Sequence, residues 1–235
     1  MQNRPVILLN MAVDIIDNRE NDVIISQYVQ SVADSGAVPM LIPSIENPEI
    51  IDTLLDFADG VLLIGGRDYD PADYGETPHP ETVMNRLRPH FDIAFGKAVL
   101  ARQMPVLGIC GGCQLLSIVS GGKLIQHLDN ASEHRNGVTH QALITRNGFF
   151  SKALGKSAGY KFTVNSFHHQ AISPAAPGNG FHIAARAFDG SVEAVEFSGD
   201  RMVLGVQFHP ERMDDLAPLF FSLFCSEAEK FKALK

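Results

Sequence analysis

Val106-Leu-Gly-Ile-Cys110-Gly-Gly-Cys-Gln-Leu-Leu116 is the stretch on which the reading of this chain turns. Behind Pro105 the apolar run is too short for a helix and predicts a buried strand. The chain then turns through Gly108-Ile-Cys110-Gly-Gly112 and continues as Gln114–Val119, whose apolar residues fall at helical spacing. Strand, glycine-flanked turn and helix make a nucleophile elbow, with Cys where the hydrolase motif has Ser. Such a turn strains the backbone at the nucleophile, and side chains on either side of it would strike the neighbouring strand and helix.

The elbow also suits a sulfur nucleophile. Unpaired N–H groups and the macrodipole at a helix N-terminus favour thiolate. Lowering a cysteine from its ordinary pKa near 8.5 to about 6 takes roughly 3 kcal/mol, and a helix end supplies about 0.3–1. A histidine partner is therefore expected elsewhere. Cys110-Gly-Gly-Cys113 is also a C-x-x-C, which elsewhere marks a redox pair or half a metal site. It lies late in the chain and no second C-x-x-C follows, so the nucleophile is favoured and Cys113 is read as a small buried residue.

The rest of the chain bounds the function. Its 235 residues suit one α/β domain, and a net charge of −8 argues against a nucleic-acid or anionic-membrane partner. No apolar run reaches the roughly 18–20 residues of a membrane helix, and the first residues read as a strand rather than a signal peptide. Three cysteines do not make a disulfide framework, so a reducing cytoplasm is expected.

Strand and helix alternate along the first half. Strands are predicted at Pro5–Asn10, Val38–Ile42, Gly60–Ile64 and Pro105–Ile109, and helices at Pro48–Phe57 and from Arg88 to Arg102. A further helix is expected to be capped by Asn21 or Asp22, to run through Val23, Ile24, Tyr28 and Val32, and to end at Gly36. Buried, non-alternating strands of this kind belong to a parallel sheet covered on both faces, whose chemistry sits beyond the strands' carboxyl ends. There the third strand runs into Gly65-Gly66 and a long polar loop to Gly75, either a ligand-facing backbone or a plain turn. The second half predicts short strands at Val138–Thr145, Tyr160–Asn165, Phe181–Ala187, Val192–Phe197 and Met202–Phe208, then a helix from Asp215 to about Lys230. His127, His134 and His140 have no fixed ligand spacing and are read as surface or loop residues.

Directly after the last strand comes Gln207-Phe-His209-Pro-Glu211. Pro210 biases His209 to extended backbone, where residues two apart project the same way. Glu211 can then accept one imidazole N–H while the other nitrogen reaches a thiol. The alternative is a capped strand end carrying a surface His and Glu.

These features together resemble the class I (triad) glutamine amidotransferase superfamily, and within it the peptidase C26 branch. The resemblance spans nearly the whole chain. It rests on Tyr28–Pro39, on Gly65-Gly66-x-Asp68-x-x-Pro71-x-x-Tyr74-Gly75-Glu76, on Leu107-Gly-Ile-Cys110 with Gln114-Leu-Leu116, on Val164-Asn-Ser-x-His168-His169-Gln170, and on Gly205–Glu211. It implies a three-layer, flavodoxin-like α/β fold with a mostly parallel central sheet and a small additional antiparallel sheet. It further implies hydrolysis of a gamma-glutamyl amide through a thioester on Cys110. His209, oriented by Glu211, would be the acid and base, and the N–H groups of Gly111 and of Gly66 or Gly65 the oxyanion hole. Gln114, His168, His169 and Gln170 would line the glutamyl pocket, or else His168-His169 is a structural pair at a strand end.

The implied partner is a small gamma-glutamyl substrate, with no metal or organic cofactor; a homodimer is compatible with it. Where many members of the family have Arg after the nucleophile, this chain has Gly111; their Met and Asn further on are Cys113 and Ser117. Their R-D-x-F-E is Arg88-Pro-His-Phe-Asp92 here, which suggests that an ion pair between position 111 and the upstream acid has been lost. Rival readings are a glutaminase that passes ammonia to a synthase, a Cys-bearing α/β-hydrolase, a dithiol redox protein, and a non-catalytic binding module. The α/β-hydrolase order of nucleophile, acid, histidine does not fit an acid that follows the histidine.

Overall fold

The computed structural model describes residues 4–84 and 89–235. The first strand is β1 (Val6–Asn10), followed by β2 (Ala12–Ile16) and β3 (Arg19–Val23). Next come α1 (Ser26–Asp34), β4 (Val38–Ile42), α2 (Pro48–Phe57), β5 (Gly60–Leu63), α3 (Pro89–Ala101), β6 (Val106–Ile109) and α4 (Gly111–Val119). The second half holds β7 (Leu124–Ile125), β8 (Val138–Ile144), α5 (Phe149–Leu154), β9 (Lys161–Ser166), β10 (Ala171–Ile172), β11 (Phe181–Ala187), β12 (Val192–Phe197), β13 (Val203–Val206) and α6 (Ala217–Lys232).

Nine strands form one sheet in the order β4-β1-β5-β6-β13-β12-β11-β8-β9. The first five run parallel, and β12, β11, β8 and β9 extend the sheet antiparallel. Two small antiparallel pairs, β10 with β7 and β2 with β3, stand apart from it. Alternation along the strands builds the three layers. Ile7, Leu9, Leu62, Leu107 and Ile109 pack with α1 and α6 on one face. Leu8, Val61, Leu63 and Val106 pack with α2, α3 and α4 on the other.

The segment after β1 departs from expectation. Asn21 and Asp22 do not cap a helix; they lie in β3, the second arm of a hairpin. Asp17 and Asn18 turn it with φ of 51° and 58°, the left-handed pair that a two-residue hairpin turn requires. Helix α1 starts only at Ser26, after Ile25 at its N-cap. Arg88, the expected start of the third helix, lies outside the described residues; the observed helix begins at Pro89. No described helix is long and apolar enough to cross a membrane.

Candidate active site

The three strands that carry the expected site lie side by side. β6 runs into Cys110, β5 on one flank runs into Gly65-Gly66, and β13 on the other leads to His209. Cys110 has φ 52° and ψ −106°, a conformation costing about 1–3 kcal/mol that persists only where its surroundings impose it. Its N–H donates to Val206 O at 2.8 Å and its carbonyl accepts from Gln114 N at 3.1 Å. The flanking glycines are steric necessities. A Cβ at Gly112 would run into the Leu63 carbonyl, and one at Gly111 would lie 2.8 Å from the backbone N of Gly66. In this chain, then, the residue after Cys110 is small because the Gly65-Gly66 loop closes on it. Asp92, the other end of the suggested ion pair, is buried and accepts from Asn10 Nδ2 at 3.3 Å. Asn10 Oδ1 in turn takes the Ile64 N–H at 2.9 Å, fixing the strand end that precedes the glycine pair.

The structure brings His209 and Glu211 to the same place. His209 Nδ1 lies 2.6 Å from Glu211 Oε1, both residues being buried. The backbone meets this by curling into a 3₁₀ turn at Pro210–Arg212, not by continuing extended as Pro210 led us to expect. The His209 main chain is clasped on both sides: its N–H donates to Asn165 Oδ1 and its carbonyl accepts from Asn165 Nδ2, each at 2.8 Å. Tyr28 Oη sits 3.3 Å from His209 Nδ1 and accepts the Gly65 N–H at 3.2 Å. Burial by itself would lower the His209 pKa. The adjoining Cys110, hydrogen-bonded to the ring, and the Glu211 carboxylate overcome it and raise the value to about 9. The same burial and the same two neighbours push the Tyr28 phenol well up.

Gln207 also touches the sulfur, with Nε2 donating to Cys110 Sγ at 3.6 Å. Its Oε1 is held by Gln114 Nε2 at 3.1 Å, so Gln114 lies behind the Cys110 sulfur. Cys113 is fully buried against Gly205, and burial together with Cys110 raises its thiol well above the usual range. All three cysteines are free.

A cavity of about 410 Å³, within the size range of small-molecule sites, opens over Cys110 and His209. Tyr28, Gly65, Gly66, Phe167 and Arg212 line it on the sheet side. Ala12, Val13, Asp14 and Val23 of the β2–β3 hairpin, with Arg67, form the facing wall. Phe167 meets the His209 ring edge-on at 5.5 Å between centroids, and the Arg212 guanidinium stacks on Phe167 at 4.5 Å.

Gln114, His168, His169 and Gln170 do not line this cavity. His169 Nε2 pairs with Asp68 Oδ2 at 3.0 Å, and Asp68 Oδ2 also takes the Val83 N–H, so this segment braces the 65–75 loop from behind. His168 is buried, as is Gln170, whose carbonyl faces His168 Nδ1 at 2.9 Å. Of the histidines read as surface or loop residues, His134 does lie in a loop but is 1% exposed, while His140 stands in β8, partly buried against Glu193. Tyr28, Asn165, Gln207 and the hairpin have no role assigned from sequence. Each reaches the site across more than 35 positions or through a misread element, which local pattern does not record.

Comparison with known proteins gives a consistent picture. The family model described as Peptidase C26 matches residues 6–211. Rv2859c of Mycobacterium tuberculosis, which carries a glutamine amidotransferase name, is 40% identical over 204 residues; the match covers 81% of this chain and 63% of that protein. The chain thus spans less than two thirds of that relative's length. The glutamine amidotransferase-like protein YvdE of Lactococcus lactis is 35% identical, with 78% of each chain covered. Gamma-glutamyl-gamma-aminobutyrate hydrolase PuuD of Escherichia coli is 28% identical, covering 90% of this chain and 87% of its own. A solved Thermoplasma acidophilum protein described as a GMP synthase component superposes with a TM-score of 0.70 at 17% identity, over 100% of this chain and 98% of that one, a likeness of fold.

Proposed function

Because the chain belongs to the peptidase C26 family, we propose that it hydrolyses gamma-glutamyl amide bonds through a thioester on Cys110. The observation that carries the reading is the strained elbow at Cys110, sharing one cavity with an imidazole that Glu211 holds at 2.6 Å. His209 is raised to about 9, so it favours the imidazolium at neutral pH and supports a thiolate beside it.

Sγ attacks the amide carbonyl carbon, and the carbonyl oxygen takes the negative charge. Among the described residues the N–H groups of Gly66 and Gly111 meet no acceptor, while that of Gly65 is taken by Tyr28; Gly66 and Gly111 therefore supply the oxyanion hole. His209 gives its proton to the leaving amine as the C–N bond breaks. It then takes one from water, whose oxygen attacks the thioester to release glutamate and return the thiol. Glu211 keeps the imidazole in one tautomer and orientation throughout. Gln114 and Gln207 act from behind the sulfur, and the hairpin wall faces the leaving amine.

The test is incubation of the purified protein with glutamine and a panel of gamma-glutamyl amines, reading free glutamate and trapping the acyl-enzyme by mass on Cys110. Turnover of gamma-glutamyl amines by the protein alone is expected. Glutamine turnover that appears only on adding a synthase would replace this reading with an ammonia-delivering component. No acyl-enzyme with any conjugate would reject both.

A further inference from the structure

Away from the cavity over Cys110, four ionisable side chains converge at the antiparallel half of the sheet. His140 comes from β8, Glu193 from β12, His134 from the end of the Ala131–Glu133 turn, and His168 from just beyond β9. One ligand atom from each of His134, His140 and Glu193 can be chosen so that all lie within 4.8 Å of one another. His140 Nε2 is 2.9 Å from Glu193 Oε1, and His168 Nε2 is 3.9 Å from the same oxygen. The Glu193 side chain is wholly buried, and those of His134 and His168 are 2% exposed.

Hydrogen bonding alone leaves this cluster unfinished. His140 Nδ1, His168 Nε2 and Glu193 Oε2 are buried with no hydrogen-bond partner. The Gln170 carbonyl can only accept, so His168 Nδ1 carries the ring proton and Nε2 presents a bare lone pair. The lone pair faces a carboxylate oxygen, which also only accepts. Two acceptors aimed at each other in a dry interior repel, and a cation between them turns the repulsion into coordination.

We propose that His134, His140 and Glu193 bind a divalent transition-metal ion of the zinc type, with the His168 lone pair completing the set. Imidazole and carboxylate donors suit such an ion, and bonds of about 2.0–2.2 Å need only a modest contraction of the cluster. The outer contacts are those that orient a ligating histidine. His134 Nε2 donates to Asp189 Oδ2 at 2.6 Å, and Asp189 is itself held by Asn130 and Ser191. Asp189 and Asn130 line an open cavity on the outer side of this contact.

The ion's role is a tie. It would join the loop carrying His134 to β8 and β12. The Glu193 carbonyl takes the Gln207 N–H at 2.8 Å, and Gln207 donates to Cys110 Sγ. The tie therefore steadies the strand pair behind the sulfur and takes no part in bond making. It stands whether or not the gamma-glutamyl reading does.

The experiment uses the full chain carrying Cys110→Ser, so that the reactive thiol cannot capture metal. After stripping by a chelator, Zn²⁺ is titrated against a chromophoric competitor and Co²⁺ binding is followed by visible absorption. One equivalent of Zn²⁺ per chain is expected, with Co²⁺ d–d bands of a nitrogen- and oxygen-ligated tetrahedral ion. Glu193→Gln and His140→Asn are each expected to weaken Zn²⁺ at least about 100-fold, and Asp189→Asn about 10–100-fold. Absence of stoichiometric uptake or of the Co²⁺ bands in the Cys110→Ser chain would overturn the proposal, as would unchanged affinity in Glu193→Gln. Should a ligand variant fail to fold by circular dichroism, the parent's Co²⁺ spectrum still decides.

Discussion

Glu211→Gln removes a single negative charge from the buried side of His209 while keeping the side chain's shape. The imidazole stands at about 9 against an ordinary 6.5, a difference worth about 3 kcal/mol, and it does so in spite of burial. Cys110 and Glu211 are the two groups that hold it there. With an amide in place of the carboxylate, burial opposes only Cys110, and the imidazolium is expected to lose its proton at least about one pH unit lower. An amide can also donate to Nδ1, which puts the wrong tautomer toward the sulfur; kcat/KM should fall by about 10²–10⁴.

The assay pairs hydrolysis of a gamma-glutamyl anilide with the rate of Cys110 alkylation by iodoacetamide, each followed from pH 5 to 10. In the parent hydrolysis should decline as pH rises through about 9, where the imidazolium that protonates the leaving amine is lost, whereas alkylation, which needs only a thiolate, should not decline there. In the variant that decline should begin at lower pH. Stability moves with it. A raised histidine pKa stabilises the fold fully below 6.5, and the gain is lost as pH rises through about 9; the parent's Tm should fall across that window and the variant's should stay flatter. A parent and a variant with the same high-pH limb and the same kcat/KM would refute the reasoning.

Other positions test the rest of the frame. Gly111→Ala adds only the Cβ that would lie 2.8 Å from Gly66 N; displacing that donor should cost about 10²–10³ in kcat, with Gly111→Arg at least as damaging, and full activity in the alanine variant would clear the loop of any role. Asn165→Leu leaves the buried N–H and carbonyl of His209 unmatched at about 1–3 kcal/mol each, lowering Tm by roughly 5–20 °C, whereas Asn165→Asp, which keeps the acceptor, should lose less. Cys110→Ala should abolish turnover and acyl-enzyme formation. Cys113→Ala should keep both and lose only stability, and equal loss in the two would favour a dithiol chemistry.

What could be read in the sequence follows from how far each constraint reaches. The elbow was legible because its glycines answer to contacts within one turn and to the adjacent strand end. Pro210 and the two-residue spacing announced the meeting of His209 with Glu211, although the chain gets there by a 3₁₀ turn. The hairpin has a local signal that a rival signal masks. Asp17-Asn18 is a left-handed turn pair, but Asn21-Asp22 before an apolar run imitates a helix cap. The burial of His134 and His140 had no such signal, since it depends on Asp189 and Glu193 respectively, each arriving more than fifty positions later. Asn165 stood inside a motif, yet its grip on the His209 backbone is a contact across 44 positions. Gln114 shows the limit of likeness: the motif named it, and only coordinates could put it behind the sulfur.

The β2–β3 hairpin shares no hydrogen-bond ladder with the nine strands that carry Cys110 and His209, yet it walls the cavity above them. Frame and rim are thus separate pieces of machinery. On the proposed function, changes between Ala12 and Val23 are expected to alter which amines are admitted while the sulfur and its imidazole stay where the sheet puts them. Choice of guest is, in this architecture, uncoupled from the capacity to react.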